Sequence, residues 1–165
     1  MRSAHVLVLV GTMLLGACGG GQDSDSEPGA EPEQIEIITS ISIAATPGAQ
    51  VIATGEVLEG STLGGSPFCV GGTILDSHAS LDPAMKPYLI DRKITCPDGT
   101  VRIGFTPEVG AGPDPEGQTP QQGVWTIVSG TGEFEGLSGS GKSEAVYGAS
   151  PSSPVRSTFT GTVAR

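Results

Sequence analysis

The sequence predicts an all-β domain, either a sandwich or a closed antiparallel barrel, and three observations predict it. From Ile35 onward β-branched residues dominate, and turn residues recur every ten or so positions. Strand-length runs alternate in character, most clearly at Ile35, Ile37, Thr39, Ile41 and Ile43 on one face. Helix signals are nearly missing: only 80–85 could make a helical turn, and Pro83 and Pro87 limit it. Aromatic residues are 4% of the chain and glycines number 26, so a core must rest on aliphatic side chains packed around tight turns.

The 165 residues divide into three parts. Arg2 opens a short basic start, and a mostly apolar run, 6–15, follows it. That run is too short to span a bilayer as a helix and fits the core of a signal peptide. It ends in Leu15-Gly16-Ala17-Cys18, which resembles the lipobox of bacterial lipoproteins. The resemblance implies cleavage after Ala17 and a diacylglycerol on the Cys18 sulfur. The other reading is an ordinary secreted chain with an unpaired cysteine. Gly19 follows the cysteine, so an acidic inner-membrane retention signal is missing. The expected location is an outer-membrane leaflet or an outer cell surface.

Segment 18–34 then carries Asp23, Asp25, Glu27, Glu31 and Glu33 and no large apolar side chain. Such a stretch cannot bury enough surface to offset its ordering entropy and reads as a flexible, self-repelling tether. The expected organisation is therefore a signal peptide over 1–17, a lipidated tether over 18–34 and one β domain over 35–165. The formal charge of −10 argues against nucleic acid and anionic lipid as electrostatic partners. Membrane attachment would come from acyl chains at Cys18.

Within the domain, strands are expected at 35–43, 51–58, 68–75, 88–96, 101–105 and 124–128, around Phe134, and at 143–147 and 157–163. Pro97-Asp98-Gly99 makes a tight turn, and 107–122 reads as a long loop rich in proline, glycine and acids. The stretch 123–141, GVWTIVSGTGEFEGLSGSG, organises the rest. It reads as a hairpin that turns at 129–132, with Trp125 and Phe134 as anchors of the core.

The order FCVGGT at 68–73, TCPDGT at 95–100, the hairpin, and TFTGTV at 158–163 resembles secreted bacterial proteins of the allene oxide cyclase barrel-like group, distant relatives of dirigent proteins. The resemblance implies an eight-stranded antiparallel, calycin-like β-barrel with an apolar cavity, and homo-oligomers as in plant members. The strands read by themselves allow that architecture without requiring it. No catalytic residue of the plant enzymes matches a motif here, so none is assigned.

Cys69 and Cys96 remain once Cys18 is lipidated, and an exported chain with two such cysteines usually joins them. A redox pair or half a metal site lacks a Cys-x-x-Cys and further histidines; no metal or cofactor is expected. Residues 136–143, GLSGSGKS, satisfy the phosphate-loop pattern letter for letter. The cradle needs a long helix after Ser143, and Gly148 and Pro151 leave no room for one, so the turn reading is preferred. His78, beyond a strand end, could be imagined in a hydrolase site with Ser77, yet no nucleophile elbow surrounds a serine.

Arg92 is the stronger candidate. The even positions of 88–96 read Tyr88, Ile90, Arg92, Ile94 and Cys96. If that face points inward, Arg92 is a buried cation that must find a carboxylate or line a cavity, with Glu56, Asp76, Glu133 or Glu135 as partner. The opposite reading is an outward face, or an Arg92 that snorkels at the barrel mouth. Tyr88 and Tyr147 could add hydroxyls to the same cavity. The expected function is a tethered barrel that binds a small apolar ligand or an envelope partner without catalysis. The alternatives are an isomerase or cyclase acting in the cavity, and a purely structural or interaction module.

Overall fold

The computed structural model describes residues 31–44, 52–78, 89–108, 112, 114–148, 150 and 153–165. Ten strands carry the described chain: β1 (Glu33–Ala44), β2 (Ile52–Val57), β3 (Thr62–Leu63), β4 (Ser66–Pro67), β5 (Thr73–His78), β6 (Ile90–Cys96), β7 (Gly99–Pro107), β8 (Thr119–Gly132), β9 (Ser138–Tyr147) and β10 (Val155–Ala164). No helix occurs among the described residues.

Every pairing is antiparallel, and neighbours follow chain order from β5 to β10. β5 also pairs with β2, and β2 with β1. β10 then returns to β1, in register from Glu33↔Val163 to Ile41↔Val155. The two-residue strands β3 and β4 form a side hairpin, and the remaining eight strands close into a barrel. Closure removes the free edges that would otherwise template aggregation.

The side hairpin repairs a gap. β2 leaves β1 at Val57↔Thr39, and Leu63 takes over the same edge at Ile35. Between them the Ser61 hydroxyl accepts from the Ile38 amide at 2.9 Å and donates to the Leu58 carbonyl at 2.9 Å. Ser61 is fully buried, so these bonds satisfy backbone groups that no strand reaches.

The alternation read from the sequence sets which side chains face inward. Ile35, Ile37, Thr39 and Ile41 of β1 are buried, as are Ile90, Arg92, Ile94 and Cys96 of β6. Several expected boundaries differ, among them β9, which starts at Ser138 and not at 143. β8 runs through Ser129 to Gly132, because those residues pair with β7 from Arg102 to Gly99. The turn lies four residues later, so Phe134 sits in the turn and not on a strand. Phe134 is nonetheless buried, edge-on to Phe68 with ring centroids 5.6 Å apart. β8 also starts at Thr119, which shortens the expected loop, and β5 starts only at Thr73, leaving Phe68 in the preceding connection.

One half of the barrel is filled. Among the described residues Trp125, Phe159, Ile37, Ile94 and Ile103 are its largest wholly buried apolar groups. The Trp125 indole lies against two strands that offer glycines opposite it, in the register Trp125↔Gly141↔Gly161. Its Nε1 donates to the carbonyls of Lys142 (3.0 Å) and Thr160 (3.1 Å). A disulfide joins Cys69 to Cys96, with Cα atoms 5.3 Å apart, and ties the β4–β5 connection to the end of β6.

Candidate functional site

The other half of the barrel is not filled. There the inward positions carry small side chains: Ala53 on β2, Ser143 and Ala145 on β9, and Ser157 on β10. Small residues facing one another across a closed wall leave space, and the space is a cavity of about 560 Å³. That volume falls within the range of small-molecule sites.

The cavity rests on Arg92. Its Nε donates to Asp76 Oδ1 and its Nη2 to Asp76 Oδ2, each at 2.7 Å. Its Nη1 donates to Thr39 Oγ1 at 3.3 Å, and that hydroxyl donates in turn to the Ser157 carbonyl at 3.3 Å. Phe105 and Phe159 pack against the guanidinium, with Cζ 5.0 and 4.9 Å from the ring centroids, and meet each other edge to face at 5.4 Å, so both rings stand on the same side of it. Arg92 is 2% exposed and Asp76 4%. Two charges so deep would be costly alone; bidentate geometry and two aromatic faces compensate. The result is a rigid floor between the filled and the open halves.

Cross-strand register brings this pair together. Asp76 of β5 stands directly opposite Arg92 of β6 and shares the inward face. Of the four carboxylates that could have met Arg92, Glu56, Glu133 and Glu135 are exposed. Their strand or turn positions point them away from the interior.

Above the floor the walls differ. Ile41, Ala53, Ile90 and Val155 make an apolar side on β1, β2, β6 and β10. β8 and β9 contribute Thr119, Gln121, Ser143 and Tyr147. The Tyr147 hydroxyl donates to Gln121 Oε1 at 3.0 Å. Ser143 is 7% exposed, faces the cavity, and its hydroxyl has no hydrogen-bond partner among the described residues.

Arg92 and Tyr147 thus both line the cavity, while Trp125 and Phe134 belong to the filled half. Tyr88, Cys18 and the signal and tether segments up to residue 30 lie outside the described residues. His78 ends β5 opposite Ile90; its side chain lies outside the described residues. The phosphate-loop pattern at 136–143 runs from a turn into strand β9, with no helix after it, so its amides are committed to strand pairing. No cluster of three or more His, Cys, Asp or Glu suited to a metal occurs among the described residues.

Sequence reading did not single out Phe105, Phe159, Ser143 or Gln121. The two phenylalanines were legible as core residues, but their stacking on one cation depends on barrel closure. Ser143 lay inside the misleading phosphate-loop pattern.

The geometry defines a class: a closed β-barrel with one packed half and one ligand-sized cavity floored by a neutralised ion pair. Comparison with protein-family models, curated proteins and solved structures finds no match for this chain. The cavity's own chemistry therefore carries the functional reading.

Proposed function

We propose that this protein is a surface-tethered lipoprotein whose barrel holds a small, partly apolar molecule without transforming it. The observation that carries this reading is the contrast between the two halves. A purely structural barrel would fill both with side chains, as small barrels commonly do. Here Trp125 of β8 fills one half, while Ala53 of β2, Ser143 and Ala145 of β9 and Ser157 of β10 leave the other open.

Retention without turnover is favoured by the lining. Among its described side chains Asp76 is the one carboxylate, and Arg92 occupies both its oxygens. Among the described lining residues there is no histidine or cysteine to activate a hydroxyl. Cys18 supplies the membrane anchor in this reading, and the allene oxide cyclase barrel-like group is the family proposed.

Native mass spectrometry after incubation with envelope lipid extracts tests the binding. The wild type is expected to keep a small-molecule adduct that Ala145→Phe, which fills the cavity, loses while remaining folded. A wild type that keeps nothing, or a variant that keeps as much, would overturn the reading. Anchoring is tested separately: metabolic labelling with a fatty-acid probe should mark the wild type and not Cys18→Ala.

A further inference from the structure

We infer that the cavity selects uncharged amphiphiles, such as alcohols, esters and amides, over the corresponding acids, with Ser143 as the anchor of the neutral head group. The inference rests on the binding reading above and adds the chemistry of the ligand.

Charge selection follows from the floor. Arg92 is the one cation among the described cavity-lining residues, and it is already committed. Asp76 takes Nε and Nη2 and neutralises the charge, Thr39 takes an Nη1 hydrogen, and Phe105 and Phe159 pack against one side of the guanidinium. A ligand carboxylate would enter beside a buried carboxylate with no free counter-charge to meet it. It would lose its hydration without compensation. The chain's formal charge of −10 adds long-range repulsion.

The head-group position follows from Ser143. A buried hydroxyl without a partner is costly and uncommon in folded proteins. Its 7% exposure, its place in the cavity wall and its lack of a partner among the described residues together mark a site that a ligand atom completes. Gly123 keeps that hydroxyl uncovered, since a Cβ there would stand 3.0 Å from Ser143 Oγ. Gln121 lies close in the same wall; with its carbonyl oxygen accepting from Tyr147, its amide NH2 remains a donor for the same head group. The apolar body then lies against Ile41, Ala53 and Ile90. A cavity of about 560 Å³ lies within the range of small-molecule sites, enough for a medium-length alkyl chain with its head.

Titration calorimetry of the purified full-length protein with decan-1-ol, decanoate and decane at neutral pH tests this. Decanol is expected to bind at least tenfold tighter than decanoate. Ser143→Ala should weaken decanol by about three- to tenfold, the worth of one neutral hydrogen bond, and leave decane unchanged. Asp76→Asn, where it folds, should shift preference toward decanoate by freeing Arg92. Decanoate binding as tightly as decanol, or a Ser143→Ala protein that holds decanol undiminished, would overturn the inference while leaving the binding reading intact. Failure of all three probes to bind would sink both.

Discussion

The ring of Trp125 and the backbone of Gly161 are in contact: a Cβ placed on Gly161 would lie 2.8 Å from Cζ2 of the indole. The same Cβ would come within 2.2 Å of the Ser140 carbonyl oxygen, which belongs to strand pairing and cannot swing aside. The widest side chain of the barrel is accommodated because its neighbours across the wall have none. Gly161→Ala should therefore destabilise the fold by about 1–3 kcal/mol, the usual cost of overpacking. Urea unfolding followed by Trp125 emission would measure it, with the native emission itself shifting as the indole is displaced.

The Arg92–Asp76 pair makes a prediction about sign. Removing one partner leaves the other charge buried and unmatched, so Arg92→Met should cost about 3–5 kcal/mol. Replacing both, as Arg92→Met with Asp76→Leu, should recover most of that loss, because a desolvated pair adds little net stability over well-packed apolar groups. A double-mutant cycle by chemical denaturation would read both numbers. A double variant no more stable than the single one would show that the pair is indispensable to closure.

The disulfide closes a separation of 27 residues between Cys69 and Cys96. In the chain-entropy account a loop of that size is worth about 3.5 kcal/mol. The variant carrying Cys69→Ala and Cys96→Ala should lose about that much, seen as a lower denaturation midpoint with a similar native spectrum.

Phe134 provides a test of packing against local structure. It occupies a turn, yet it is buried against Phe68. Phe134→Ala should cost about 3–5 kcal/mol, as for a core aromatic, and not the few tenths typical of an exposed turn position. Thermal unfolding would distinguish the two.

Much of this was legible in the sequence, for identifiable reasons. Period-two alternation located most strands, and in 88–96 it put Arg92 on the same face as Ile90, Ile94 and Cys96. The lone Trp125 amid glycines pointed to the middle of the core. The hairpin turn was misplaced because Ser129, Gly130, Thr131 and Gly132 have turn composition, whereas the pairing of β8 with β7 outweighs that local preference.

The amino-acid order by itself determined an all-β chain, the inward face of each well-patterned strand, and the two cysteines available to pair. Only tertiary structure decided that β10 returns to β1, that Asp76 and not a glutamate neutralises Arg92, and that two phenylalanines from different strands cover it. It also decided that one half of the barrel stays open. Alternation is a property of neighbours along the chain, but closure, partner choice and empty volume depend on strands far apart in sequence meeting at a particular register.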